Sequence, residues 1–118
     1  MLRIRNCNGI VLRDLVAESI ELIGSEVLLE NVKLNSPGTG LSATDSVVVA
    51  SLLQIEANIG MMVNNSYLDI AGADFISREK LIEIRTDSQL YFSLSESRQG
   101  DLKQALHGVS HGPVLNVR

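Results

Sequence analysis

The chain alternates apolar and polar residues over most of its length. Two apolar residues separated by one other residue recur at Leu2/Ile4, Ile20/Leu22, Val27/Leu29, Val32/Leu34, Val47/Val49, Leu53/Ile55, Leu68/Ile70, Ile82/Ile84 and Leu90/Phe92/Leu94. This spacing places both apolar side chains on one face of a strand and the residue between them on the other face. The pattern therefore predicts many very short strands from Leu2 to Leu94, joined by polar turns such as Glu30-Asn31.

A repeat of similar segments organises these strands. Gly40-Leu41 and Gly60-Met61 open two segments that align at an offset of 20 residues. Gly9-Ile10 opens a third segment, 31 residues before Gly40, which predicts a longer loop at residues 35–39 in one copy. Short strands that repeat at such a period are typical of solenoids, in which each strand pairs with its equivalent in the next coil.

The segment 40–75, GLSATDSVVVASLLQIEANIGMMVNNSYLDIAGADF, resembles coils of the pectin-lyase-like right-handed parallel β-helix superfamily. That superfamily includes pectate lyases, polygalacturonases and many bacteriophage tailspikes. The resemblance rests on the Gly-apolar opening, the paired inward residues and Asn31 at a tight turn, where the family often has a left-handed Asn. It implies an all-β fold, a short right-handed single-stranded parallel β-helix of about five coils.

The pattern of residues changes from strand-like to helix-like after Leu94. Residues 97–108 are predicted to form a short helix, with Asp101 as its N-cap and Gly108 as its C-terminal stop. We therefore divide the chain into a parallel β-helix at 1–94 and a C-terminal helix with a capping or assembly segment at 95–118. Such a segment would protect an open strand edge, which otherwise invites aggregation.

Composition limits the classes of partner. The 118 residues suit one domain, and 45% are hydrophobic, but only 3% are aromatic, so the core must consist of Val, Ile, Leu and Ala. The net charge of −4 and the lack of a Lys/Arg cluster exclude a nucleic-acid-binding protein and disfavour an anionic membrane surface. The single cysteine, Cys7, has no partner for an internal disulfide and is expected to pack inside a coil.

The N-terminal sequence gives an expectation about localisation. Met1 is followed by Leu-Arg-Ile-Arg, without the apolar stretch of a signal peptide, and no apolar run approaches the roughly 20 residues of a membrane span. We expect a protein that is made in the cytoplasm, does not insert into membranes, and is assembled into a virion or fibre.

No motif with convincing catalytic chemistry is present. Ser110-His111-Gly112 resembles a triplet of polygalacturonase-like enzymes, but the Asp-Asp, Asn-Thr-Asp and Arg-Ile-Lys elements that accompany it there are absent. His107 and His111 are four residues apart, yet Gly108 interrupts the helix and no Cys or Glu completes a ligand set. We expect no catalytic residues, no metal and no cofactor.

Acidic residues leave an enzymatic alternative open. Glycoside hydrolysis requires two carboxyl groups with different roles, and Asp45, Asp69 and Asp74 would provide them only if they share one outer face. The chain would then be a polysaccharide lyase or hydrolase, or a fragment of one. The simpler interpretation is that these are ordinary solvated residues on two-faced strands.

Aromatic residues suggest where a glycan would bind. Sugar-binding surfaces usually use aromatic platforms, and only Tyr67 and Tyr91 can provide them, because Phe75 and Phe92 are expected to be buried. Together with the carboxylates of Asp45 and Asp69, these tyrosines are the candidate glycan-binding residues.

The resemblance and the short length favour a non-enzymatic structural or receptor-binding module, similar to part of a phage tailspike or surface fibre. Such spikes are homotrimers, so we expect self-association and a cell-surface polysaccharide as ligand. Val11, Val48, Leu52 and Met62 would form the contact between subunits, or else a second inward-facing strand. The third possibility is a scaffold that polymerises end to end, as bactofilins do, although their Gly-rich spacing is more regular.

Overall fold

A computed structural model describes residues 1–85, 88–93, 95–97 and 110–111. Every regular element in this part of the chain is a β-strand. The strands are β1 (Leu2–Arg5), β2 (Asn8–Ala17), β3 (Ile20–Ile23), β4 (Glu26–Asn35), β5 (Thr39–Thr44), β6 (Val47–Asn64), β7 (Tyr67–Ile84), β8 (Gln89–Ser93), β9 (Glu96–Ser97) and β10 (Ser110–His111). All pairings are parallel. The expected all-β parallel solenoid is confirmed, but it has about four turns rather than the predicted five.

Each turn of the solenoid has three sides, because the long strands bend at corners. Side A contains β1, β3, β5 and residues 61–64 and 82–84. Side B contains residues 8–13, 26–30, 47–51 and 67–71 with β8 and β10. Side C contains residues 15–17, 32–35, 53–57 and 73–77 with β9. Successive turns stack about 4.8 Å apart, so equivalent residues form columns along the axis.

The core consists of stacked inward side chains from all three sides. The largest fully buried ones are Phe75, Phe92, Ile20, Leu22, Leu29, Leu41, Leu53, Ile55, Met61, Leu68, Ile70 and Leu90. Phe75 and Phe92 meet edge to face, with ring centroids 6.0 Å apart. Since each inward residue stacks on apolar residues of the turns above and below, a thin core of aliphatic residues suffices.

A serine ladder joins side A to side B at each turn. The hydroxyl of Ser46 accepts a hydrogen bond from the backbone N–H of Ser25 at 3.1 Å and donates one to the carbonyl of Thr44 at 2.8 Å. Ser66 repeats both bonds one turn higher. At the first turn Cys7 occupies the serine position, and its N–H donates to Ser25 Oγ at 3.2 Å. The ladder therefore provides partners for corner backbone groups that the sheet does not pair.

We predict that Ser46→Ala lowers the free energy of unfolding by about 2 kcal/mol, because the buried N–H of Ser25 then lacks an acceptor. Urea unfolding followed by circular dichroism measures the change. Ser51→Ala is the matched control, since Ser51 is exposed on side B, and it should alter stability by less than about 0.5 kcal/mol. Equal effects of the two substitutions would contradict the role of the ladder.

The corner between sides B and C uses left-handed backbone at every described turn. Asp14, Asn31, Leu52 and Gly72 stand in register there with φ values of 51°, 53°, 59° and 71°. Asn31 donates to Asp14 Oδ1 at 2.7 Å, and its left-handed conformation agrees with the sequence prediction. Leu52 is the exception at this corner, because it is not one of the residue types, Asn, Asp and Gly, that tolerate left-handed backbone. Its side chain is 61% exposed.

Leu52→Asn is expected to stabilise the protein by about 1 kcal/mol, because a left-handed backbone costs a non-glycine residue about 1–2 kcal/mol and Asn tolerates it best. The thermal unfolding midpoint should rise. Val47→Asn removes another exposed apolar residue from regular strand backbone and should give no such rise. A lower midpoint for Leu52→Asn would show that this corner is not strained.

Two expectations about the repeat need correction. Gly9 does not align with Gly40 and Gly60, since it lies at a bulge in β2, where the register shifts between Asn8 and Ile10. Equivalent residues of successive described turns are 17 to 22 residues apart, so the described part of the chain contains no coil of 31 residues. The predicted loop at 35–39 is confirmed in position, because residues 36–38 separate β4 from β5. Val48 is fully buried, so it cannot join an outer contact as Val47 and Val49 can.

The C-terminal expectations remain largely untested. Strand pairing continues beyond Leu94, because Glu96 pairs with Asp74 and Ser110 pairs with Gln89. Except for Ser97, which lies in β9, the predicted helix at 97–108 falls outside the described residues. The described residues contain no helix long and apolar enough to cross a membrane.

Candidate functional site

The outward face of side B carries four of the seven large hydrophobic residues that are exposed in the described part of the chain. Val11, Val47, Val49 and Tyr67 are 49%, 39%, 43% and 37% exposed there. Their columns are continuous, since Val11 is in register with Leu28, and Leu28 with Val49. Large exposed apolar residues that stand side by side on a flat sheet indicate a contact surface rather than random exposure.

Two tyrosines and an aspartate occupy the upper half of this face. Val49 is in register with Asp69 and Asp69 with Tyr91, while Tyr67 is in register with Gln89. The Tyr67 and Tyr91 rings are therefore diagonal neighbours, with centroids 5.5 Å apart and planes tilted by 43°. The structure thus brings three of the four predicted site residues together.

Asp45, the fourth predicted residue, lies apart from the tyrosines. It occupies the corner between sides A and B with a φ of 50°, and its Oδ1 accepts a hydrogen bond from Asn65 Nδ2 at 2.8 Å. This bond and the left-handed backbone give Asp45 a role in the corner. It borders side B, two residues before Val47, but it does not join the Tyr67–Tyr91 cluster.

Side B therefore divides into two halves with different chemistry. The valine half consists of Val11, Leu28, Val47 and Val49, with the exposed Glu26 in register with Val47 and the Arg13–Glu30 ion pair on the same side. The tyrosine half consists of Tyr67, Asp69, Gln89 and Tyr91, which combine ring surfaces with hydrogen-bonding groups. An apolar patch suits a protein surface, whereas rings beside a carboxylate and an amide suit a hydroxyl-rich ligand.

The acids of the enzymatic alternative are placed on different surfaces. Asp45 is on the A–B corner, Asp69 is on side B and Asp74 is on side C. They do not face one space, as the acid and base of a glycosidase must. Among the described residues there is no group of three His, Cys, Asp or Glu that would hold a metal ion. His107 and the side chain of His111 lie outside the described part.

Sequence reasoning missed a groove on side C, with a volume of about 340 Å³. Its floor includes the buried Leu34 and Ile55, and its outward column runs from Val16 through Lys33 and Gln54 to Asp74. The only sequence signal was the register of these residues at successive turns, which requires the correct coil boundaries. We call this feature the side C groove.

One side of the side C groove is held by Arg78. Its Nη2 donates to the Ser36 carbonyl at 2.5 Å, and its Nε donates to Asn58 Oδ1 at 3.2 Å. Its Nη1 also lies 3.9 Å from Glu56 Oε2, at the groove wall. This guanidinium ties three consecutive turns together beside the groove.

Comparisons with known proteins provide no family. No family model matches the sequence, and no curated protein and no solved structure gives a match. The geometry described above is therefore the basis for the function.

Proposed function

We propose that this chain is a non-enzymatic structural and glycan-binding module of a surface fibre, comparable to a part of a phage tailspike, and that it assembles as a homotrimer. The observation that carries the proposal is the Tyr67–Tyr91 pair beside Asp69 on the exposed face of side B. The rigid sheet holds these side chains, so little order is lost when a ligand binds.

The tyrosine half supplies the contacts that a sugar needs. A pyranose ring has an apolar C–H face, which packs on an aromatic ring, and hydroxyl groups at its rim, which bond to carboxylates and amides. Tyr67 is 37% exposed, which leaves ring surface for a ligand. Asp69 is exposed beside it, and Gln89 adds an amide in the next turn.

The valine half supports self-association. A short solenoid gains stability when it buries a lateral apolar face against partner copies. Val11, Val47 and Val49 are each more than a third exposed, and Leu28 connects them. This arrangement leaves the tyrosine half, farther along the axis, open to a ligand while the valine half is covered.

We also propose that the solenoid is of the right-handed, pectin-lyase-like type. Support comes from the left-handed Asn31 at a tight turn and from the aligned Gly40 and Gly60. A vibrational or electronic circular dichroism spectrum does not distinguish the two hands well, so an electron-density map is the decisive observation.

A glycan array carrying bacterial cell-surface polysaccharides tests the proposed ligand. The wild-type chain should bind a subset of glycans, and Tyr67→Ala and Tyr91→Ala should each weaken that binding about tenfold, the loss of one stacking contact. Ser51→Ala, exposed on side B but in neither the valine half nor the tyrosine half, should leave glycan affinity unchanged. Wild-type binding that survives both tyrosine substitutions would place the glycan elsewhere.

A further inference from the structure

We propose that the side C groove binds a short peptide with free termini, with its carboxylate at Lys33 and its ammonium group at Asp74. This site is separate from the side B surface, and the proposed glycan function does not use it. The two groups lie in one outward column, with Gln54 between them. Opposite charges therefore stand two turns apart along one groove, whose wall also carries the carboxylate of Glu56.

The separation of the charges matches a tripeptide. Lys33 and Asp74 are two turns apart, and turns stack about 4.8 Å apart, so their backbones are about 10 Å apart. An extended chain advances about 3.3 Å per residue, so three residues span the same length. The volume of about 340 Å³ lies at the lower end of the range for small-ligand sites, about 300–1000 Å³.

Lys33 is available to a ligand carboxylate. Its side chain is exposed, and within the described ranges it makes no ion pair, unlike Arg3, Arg13, Arg78, Lys80 and Arg85. Because Lys33 is exposed, its pairing with a ligand carboxylate is a surface ion pair, which makes a modest contribution to affinity.

The middle of the groove suits peptide groups. The amides of Asn35 and Gln54 each offer a donor and an acceptor, which is the pairing that a peptide N–H and C=O require. Val16 and Ile76 provide apolar walls for small side chains. The lining contains no aromatic residue, which disfavours a sugar ring here and separates this groove from the tyrosine half of side B.

Isothermal titration of the full chain with trialanine provides the test. We expect a dissociation constant of about 0.1–1 mM for the free peptide. C-terminal amidation should weaken binding about fivefold, because it removes one exposed ion pair. Lys33→Gln should cause the same loss, and in that variant the free and amidated peptides should bind equally. Asp74→Asn and N-terminal acetylation of the peptide should likewise each weaken binding about fivefold. In the Asp74→Asn variant, the free and acetylated peptides should bind equally.

Controls make the outcome specific. Lys80→Gln removes an exposed lysine outside the groove and should leave trialanine affinity unchanged. Circular dichroism establishes that each variant is folded. The proposal is overturned if trialanine does not bind at 10 mM, roughly ten times the expected upper constant, if capping the peptide has no effect, or if cellotriose, a neutral trisaccharide, binds more tightly.

Discussion

Gly60→Ala is expected to lower the free energy of unfolding by about 3 kcal/mol, the upper end of the usual cost of overpacking. A Cβ atom at Gly60 would lie 2.5 Å from the carbonyl oxygen of Leu81 and 3.0 Å from Ser77 Oγ. The carbonyl belongs to the next turn and cannot move away without breaking the stack. The conflict is steric, since Gly60 does not have a positive φ.

Gly38→Ala is the matched control for this prediction. The nearest atom to a Cβ at Gly38 would be Ser36 Oγ at 3.9 Å, and its φ is not positive. The substitution should therefore change stability by less than about 0.5 kcal/mol. Similar urea unfolding midpoints for both variants would show that successive turns do not approach each other closely at Gly60.

Phe75→Ala should have the largest effect of any single substitution considered, a loss of about 4 kcal/mol. Phe75 is fully buried, lies in register above Ile55 and packs its ring against Phe92. In a core built mostly from aliphatic side chains, no neighbour can fill the space that it leaves. Because a small domain has only about 5–15 kcal/mol of stability, the variant is expected to be partly unfolded near 37 °C.

Tyr67→Ala provides the comparison for Phe75→Ala. Tyr67 is also aromatic and also lies on β7, but its side chain points outward and is 37% exposed. We expect a loss of less than about 1 kcal/mol, mainly from the contact with Tyr91. Comparable losses for the two variants would contradict the assignment of Phe75 to an inward column of side C and of Tyr67 to an outward column of side B.

The fold was predictable because most of the apolar pairs at spacing two coincide with the inward columns, although the pair Val47/Val49 faces outward. Ile20/Leu22, Leu53/Ile55 and Leu68/Ile70 are all buried as expected. The coil boundaries were harder to predict, since turns of 17 to 22 residues blur the period. Gly9 was assigned to the wrong position because a glycine at a bulge and a glycine at a close approach look alike in sequence.

The best marker of the repeat was a left-handed residue followed by a serine, rather than a glycine followed by an apolar residue. Gly24-Ser25, Asp45-Ser46 and Asn65-Ser66 each place a left-handed residue before a ladder serine at the same corner. Asp45 is a candidate site residue in the sequence because it carries a carboxylate and aligns with Asn65 at an offset of 20 residues. In the structure it precedes a ladder serine at the corner between sides A and B.

The candidate site was predictable only in part. Tyr67 and Tyr91 were chosen as the available aromatic platforms, and the register places them as neighbours with Asp69. The valine half could not be predicted from the sequence, because Val47, Val48 and Val49 are consecutive. Only the fold shows that Val48 is buried and that Val47 and Val49 are exposed. The side C groove depends on residues from four turns, which sequence proximity does not reveal.

Solution mass by light scattering, at low and high protein concentration, tests most directly whether side B builds a fibre module. The account predicts a trimer for the wild-type chain and a folded monomer for Val49→Glu, which places a charge in the valine half. Gln54→Glu adds the same charge on side C and should remain trimeric. A wild-type monomer at all concentrations, or a Val49→Glu variant that remains trimeric, would contradict the proposed assembly.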